Sequence, residues 1–351
     1  MSIPLVTIKD IAQRADLSIG TVDRVLHGRG RVSKETELKV RSIIKETGYK
    51  ANILASNLSL QATFKFGVII PFSERGSDYW EMLQAGISKA TEELSTLKVT
   101  GKIINFNRYS SDSFLKAGKK ALKYGLDGLI IAPVLEDACR SFIESLPGDS
   151  GKKIPYVYVD SSIPDTKPLA FIGQNSFQSG VCGARLMQLI TGNEGNVLVL
   201  RMSPDDLHIK ERVKGFRSFF EWTHPEKVHE FKVEGSCNDD EKFDLQVKSY
   251  ISQTPECRGV FVTNAAAHRV VQAMRTCGCR NVKVIGYDCT EENRRLVANG
   301  AIDFIISQRT EQQGYKAIYT LFRSIVLKEP CVNQETMPID IVMAENLSDY
   351  Q

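Results

Sequence analysis

The sequence predicts an α/β protein: an N-terminal three-helix helix-turn-helix headpiece followed by two doubly wound parallel-sheet lobes. Residues 7 to 47 hold three short helical patterns punctuated by Ser and Gly. From Phe64 onward, near-continuous apolar runs alternate with amphipathic helical stretches, the texture of a parallel sheet covered on both faces. The runs number about ten and fall into two sets, which implies two lobes with a cleft between them.

Taken in order, Thr7 caps the first helix, with Asp10 three places on and Ile8, Ile11 and Ala12 as its apolar stripe. Ser18 caps a second helix from Ile19 to Leu26, which Gly28 and Gly30 end. Ser33 caps a third carrying Leu38, Val40, Ile43 and Ile44, and Gly48 stops it. Helices this short need a shared core. Ile11, Ala15, Leu17, Val22, Val25 and Leu26 are its candidates. Residues 1–49 thus form the headpiece, and 50–63 a linker with helical character from Asn52 to Leu58. Residues 64–351 form the two lobes, divided approximately into 64–168 with 304–332 and 169–303 with 333–351. The lobe strands are the runs "FKFGVIIP", "GKIINF", "DGLIIAP", "PYVYVD", "LAFIG", "NVLVLR", "KVHEFKV", "GVFVTN", "VKVIGYD" and "DFIISQ".

Charge is unevenly placed. The first 50 residues carry 10 Lys or Arg against 6 Asp or Glu, a net +4 in a chain whose total is +3. A basic end of this kind suits a polyanion, and also suits a merely solvated face. The eight cysteines are scattered and form no CxxC pair. With no N-terminal apolar signal-like run, they fit a reducing cytoplasm better than a disulfide framework. No apolar run approaches a membrane span.

A helix, a tight turn and a capped second helix make a helix-turn-helix pattern. With Val22 and Leu26 inward, Ile19, Gly20, Asp23, Arg24 and His27 face out. Gly20 costs the helix about 1 kcal/mol against Ala, which makes sense where backbone must approach a groove floor. Arg24 can donate two hydrogen bonds to guanine O6 and N7. Arg29, Arg31 and Lys34 suit phosphates. The alternative is a small helical subdomain with a solvated basic face.

The stretch "VTIKDIAQRADLSIGTVDRVLHGRGRVSKETELKVRSIIKETGYKANILASNL" makes the pattern specific. It resembles the headpiece and hinge of the lactose-repressor (LacI/GalR) family of bacterial transcription regulators, without a gap from Val6 to Leu58. "T-x-x-D-[IV]-A", "T-V-x-R-V-L", "V-S-x-x-T" and "G-Y-x-x-N-x-x-A" are all present. The resemblance implies base-reading positions at Ile19, Gly20 and Arg24, inside a DNA-binding set that includes Thr7, Ser18, Thr21, Asp23, His27, Arg29 and Arg31. It also implies a hinge helix with Asn52, Ala55 and Leu58 in the minor groove, Leu58 wedged between base pairs. A linker leucine packed on the sensor domain is the other reading of Leu58. Two positions depart from the family: Asp23 stands where Ser is usual, and Ala51 where Pro is usual.

In open parallel sheets, ligands bind beyond the carboxyl ends of strands. Asn264, Asp288 and Gln308 end three of the runs, and Gln174 and Asn175 follow a fourth. Arg212 lies on the helix after "NVLVLR", and Asp78, Tyr79 and Trp80 sit past "GVIIPF". Planar amides and carboxylates that bridge hydroxyls, an Arg fork and an aromatic face suit a polyol. Residues 64 to 345 resemble the periplasmic-binding-protein-like sensor domain of the same family. That resemblance implies effector contacts at Arg212 (in "ERVKGF"), Asn264, Asp288 (in "GYD") and Gln308. Gln174, Asn175 and Asp78 serve equally well as helix caps, and His208 and Lys210 either add positive charge for an acidic sugar or are exposed on the helix.

The chain has no GxSxG, Walker loop or HExxH, its five histidines are dispersed, and it holds no metal or cofactor motif. The sequence therefore implies a cytoplasmic, homodimeric, ligand-responsive regulator without catalytic activity. It would repress carbohydrate-use genes from a roughly palindromic double-stranded DNA operator, under a sugar-like small-molecule effector. The alternatives are a solute-binding protein for transport and a sugar-converting enzyme.

Overall fold

The computed structural model describes residues 6, 8–27, 32–47, 62–73, 79–146, 148–149, 152–192, 194–202, 206–233, 240–276, 278–279, 281–331 and 334–350. The chain divides into two compact units, Met1–Ala62 and Thr63–Gln351.

The first unit contains helices α1 (Ile8–Ala15), α2 (Ile19–His27) and α3 (Lys34–Thr47). Between α1 and α2, Asp16 takes a left-handed conformation (φ 56°), and the Leu17 amide donates back to the Ala12 carbonyl at 3.0 Å. Asp tolerates that conformation better than most side chains do, and the turn is correspondingly tight. The two serine caps form as expected: the Thr21 amide donates to Ser18 Oγ at 3.1 Å, and the Thr36 amide to Ser33 Oγ at 3.2 Å. Ile11, Ala15, Val22 and Val25 are buried with Ala12 and Val40, while Leu17 packs at the edge. Leu38, on α3, is 69% exposed and takes no part in that core. Removing the α2 cap with Ser18→Ala costs about 1 kcal/mol of headpiece stability. Hydrogen exchange at the Thr21 amide then accelerates about fivefold; an unchanged rate would mean the cap contributes nothing.

The second unit runs through β1 (Phe64–Pro71), α4 (Tyr79–Glu93), β2 (Val99–Phe106), α5 (Ser111–Leu122), β3 (Gly128–Ile131) and α6 (Glu136–Glu144). A small hairpin, β4 (Gly148–Asp149) and β5 (Lys152–Lys153), precedes β6 (Tyr156–Val159), β7 (Ala170–Gln174), α7 (Ser176–Thr191) and β8 (Asn196–Arg201). There follow α8 (Leu207–Phe220), β9 (Val228–Lys232), α9 (Asp240–Ser252), β10 (Cys257–Val262) and α10 (Ala267–Thr276). The unit ends with β11 (Lys283–Tyr287), α11 (Glu291–Ala298), β12 (Phe304–Ser307), α12 (Thr310–Leu321), β13 (Gln334–Met337) and β14 (Asp340–Val342).

Two six-stranded sheets result, in the orders β13-β7-β6-β3-β1-β2 and β14-β12-β11-β10-β8-β9. All pairings in the first are parallel, and in the second only β12–β14 is antiparallel. Central strands such as β3 and β6 are buried along their whole length, which is why their sequences read as unbroken apolar runs.

The sheet membership corrects the expected lobe division. Residues 170–174 belong to the first sheet and 304–307 to the second, while the polar edge strand at 334–337 returns to the first. The chain crosses between lobes after each strand has ended, at Gln174–Asn175, Gln308–Arg309 and Pro338–Ile339. Pairing decides this, β7 with β6, β12 with β11 and, far along the chain, β13 with β7, and the pattern within each run does not record it. The strands β13 and β14 escaped sequence reading because edge strands need no apolar run.

Candidate functional site

The crossings bring polar residues of both lobes into one buried cluster. From the first lobe, Tyr79 opens α4 and donates its hydroxyl to Asp160 Oδ1 at 2.6 Å. Asp160 follows β6 in a left-handed conformation (φ 68°), and its amide donates to Gln313 Oε1. Arg108, just past β2, reaches across to form an ion pair with Asp206 of the second lobe, the two side chains only 12% and 6% exposed. His208 Nδ1 lies 3.4 Å from Asp160 Oδ2.

From the second lobe, Arg212 donates Nη1 to the Thr263 carbonyl at 2.7 Å and lays its guanidinium 3.8 Å from the centre of the Tyr287 ring. The Tyr287 hydroxyl is fixed by Ser179 Oγ at 2.9 Å. Asp288 also sits at a left-handed strand end (φ 64°). Asn293, fully buried, holds that turn by donating to the carbonyls of Ala265, Tyr287 and Asp288. Gln308 Nε2 donates to both carboxyl oxygens of Asp288, at 3.1 and 3.0 Å.

Several atoms in the cluster are left without a partner: Asp160 Oδ2 and the His208 Nδ1 that faces it, Gln308 Oε1, Arg212 Nε and Arg212 Nη2 are buried and make no hydrogen bond. Native proteins leave few such atoms, because each costs roughly 1–3 kcal/mol. Side chains assembled from two lobes with hydrogen-bonding capacity to spare make a candidate ligand site.

Burial also sets the protonation. It pushes the Asp288 carboxyl up to about 7 against the opposing pull of Arg212. It raises Asp160 as well, with Tyr79 and Arg212 working against it. It pushes His208 down to about 3, with Arg212 adding to the effect, so the imidazole is neutral. The expectation that His208 carries positive charge is thereby corrected. The folded Asp288 holds a proton that the unfolded chain has lost, between the ordinary value of 3.8 and about 7. Its contribution to stability is therefore complete below the ordinary value and disappears as pH rises through about 7. Wild type should gain in melting temperature relative to Asp288→Asn on going from pH 7.5 to pH 5. A constant difference between the two would contradict this.

The structure gathers Tyr79, Arg212, Asp288 and Gln308 from among the expected ligand residues. Others do different work. Gln174 donates to the carbonyls of Ser307 and Pro338, tying the three crossings together. Asn175 accepts the Gln178 amide as the cap of α7, and Asn264 accepts the Ala266 amide within its own loop. Trp80 packs edge-on against Tyr79 at 4.8 Å and is 3% exposed, so it offers no open face. Asp78 lies outside the described residues. Sequence reasoning missed Arg108, Asp160 and Asp206. The first two stand just past strands β2 and β6, so the strand-end rule applied to "GKIINF" and "PYVYVD" would have found them.

In the headpiece, Ile19 (44% exposed), Gly20 and Arg24 face outward beside the buried Val22 and Val25. Thr21 is half-buried, and the Ser18 hydroxyl is engaged as a cap. Thr7, Arg29, Arg31, Asn52, Ala55 and Leu58 lie outside the described residues, as do the side chains of Asp23, Leu26 and His27.

A helix-turn-helix unit on one chain with a two-lobed domain defines a DNA-binding transcription regulator. Residues 7–52 match the bacterial regulatory proteins of the lacI family, and residues 66–329 match the periplasmic binding protein domain. The chain belongs to the LacI family and carries a periplasmic-binding-protein domain as its larger part. It is 24% identical to catabolite control protein A of Priestia megaterium over 81% of this chain and 83% of that protein. It is 30% identical to the HTH-type transcriptional regulator AscG of Escherichia coli over 37% of each chain. A Bacteroides fragilis structure classed as a LacI transcriptional regulator superposes with a TM-score of 0.74 at 26% identity, covering 83% of this chain and all of that one. A Burkholderia graminis solute-binding protein in complex with D-arabinose shares the fold, with a TM-score of 0.72 at 17% identity over 82% of this chain and 98% of the other.

Among the described residues, no helix is long and apolar enough to cross a membrane, and no group of three or more His, Cys, Asp or Glu could hold a metal ion. Among the described residues, Cys139, Cys182, Cys257, Cys289 and Cys331 are free thiols.

Proposed function

We propose that this regulator represses carbohydrate-use genes and that a carbohydrate effector, bound between the lobes, changes its affinity for DNA. The observation that carries the reading is the buried interlobe cluster, whose Asp160, Gln308 and Arg212 keep unpaired donors and acceptors. Tyr79, Asp160, Arg212, Asp288 and Gln308 form the effector site. Arg108 and Asp206 join the lobes beside it. The relatives point the same way, being a catabolite control protein and a solute-binding protein in complex with D-arabinose.

Two headpieces of a cytoplasmic homodimer read the halves of a roughly palindromic operator. Ile19, Gly20 and Arg24 meet base edges. Lys34, Arg29 and Arg31 meet phosphates. The effector acts by binding one lobe arrangement more tightly than another, with a coupling of about 1–3 kcal/mol between the sites. The protein binds its effector without turning it over.

A thermal-shift screen against mono- and disaccharides tests the effector class. A carbohydrate at a hundred times its Kd stabilises the folded state by about 2.7 kcal/mol, a shift that is easily read. Stabilisation by nucleobases or amino acids, with none from any carbohydrate, would overturn the reading.

A further inference from the structure

We propose that the effector is an uncharged polyhydroxyl molecule, and that the cleft rejects sugar acids and sugar phosphates. This rests on the interlobe cluster being the effector site, and it follows from which atoms the cluster leaves unpaired and from its balance of charge.

The unpaired atoms are of both kinds. Asp160 Oδ2 and Gln308 Oε1 accept hydrogen bonds, and Arg212 Nε and Nη2 donate them; their residues are 2%, 2% and 1% exposed. An alcohol hydroxyl both donates and accepts, so adjacent hydroxyls on a small polyol can serve all four. An ionised carboxylate has acceptors alone, as does a fully ionised phosphate. The hydroxyls of a sugar acid or sugar phosphate can still serve Asp160 and Gln308, but its anionic group can meet only the Arg212 donors and would set oxygen against oxygen if turned toward the two acceptors.

The charges agree. Arg108 is committed to Asp206, so each neutralises the other. Arg212 alone then faces two carboxyl groups, Asp160 and Asp288, whose charges act on one another through the same cluster. His208, the remaining basic group against Asp160, is neutral in its buried setting. An anionic effector would add a further negative charge beside two carboxyl groups, with one guanidinium to hold it. Like charges at that range disfavour one another strongly in a desolvated site.

Calorimetric titration of the full-length protein at pH 7.5 decides the matter. The probes are D-glucose, D-galactose, D-xylose, L-arabinose and neutral disaccharides, set against D-glucuronate, D-galacturonate and D-glucose 6-phosphate. The tightest ligand is expected among the neutral sugars, with anionic counterparts at least 100-fold weaker. If an anion binds tightest, the proposal is overturned while the carbohydrate reading stands. If nothing in either set binds, both fall together. Asp160→Asn supplies a second readout, because Asn accepts the left-handed backbone there and can still take the Tyr79 hydrogen bond. That variant should narrow the preference for the neutral sugar over its uronate by at least tenfold, and an unchanged ratio would overturn the proposal.

Discussion

Arg24→Ala should remove about 1–3 kcal/mol of discrimination between operator and random duplex, the worth of one good bidentate base contact. The fold should survive, because Arg24 is an exposed residue of α2 while its neighbours Val22 and Val25 fill the headpiece core. Nothing in the headpiece core then changes when the side chain is cut back. Lys34→Ala makes the informative comparison. Lys34 is exposed at the start of α3, where a phosphate contact carries no sequence information. Its loss should weaken specific and random binding alike and flatten the salt dependence. Anisotropy titrations with both duplexes separate the two variants. Unchanged discrimination in Arg24→Ala would show that α2 does not read bases through this residue.

Gly180→Ala should damage the larger unit more than any surface change. Helices α7 and α8 cross so closely that a Cβ on Gly180 would stand 2.0 Å from the Arg212 carbonyl oxygen. The contact is reciprocal, for a Cβ on Gly215 would stand 1.9 Å from the Phe177 carbonyl. These neighbours are backbone, so one helix must move. Overpacking of this kind typically costs about 1–3 kcal/mol of stability. The displaced helix carries Arg212, whose bond to the Thr263 carbonyl and place over the Tyr287 ring depend on where α8 lies. Effector affinity should therefore fall by more than tenfold, while operator binding by the headpiece persists. A variant that melts earlier yet binds its effector normally would show that Arg212 does not depend on this crossing.

The headpiece was legible in the sequence because its determinants are local. Ser18 and Ser33 cap the helices that begin beside them, and Val22 and Val25 turn inward on the helical period. The lobe strands were legible for a related reason, since burial on both faces leaves an apolar run. Which lobe a strand joins was not, because that is settled by pairing between distant segments such as β7 with β13. The site shows the same division. The strand-end rule located Asp288 and Gln308, yet it also selected Gln174, which binds the crossings together, and Asn175, which caps a helix. A strand end gives a polar residue its place. Whether it faces a ligand or a neighbouring backbone depends on the other lobe; Asp160 and Arg108 stand at strand ends the same rule reaches, while Asp206, which follows no strand end directly, emerged only once the lobes were assembled.

The most direct test of the account is an operator titration with and without sugar. The operator is first selected from random duplexes by the full-length protein, and the sugar is the tightest neutral ligand from calorimetry. The account predicts that a saturating concentration changes operator affinity by at least fivefold, consistent with a coupling of about 1–3 kcal/mol. It also predicts that Asp288→Ala abolishes the change and leaves sugar-free operator binding intact. Operator affinity that stays the same with and without bound sugar would contradict the claim that the cleft governs the headpiece.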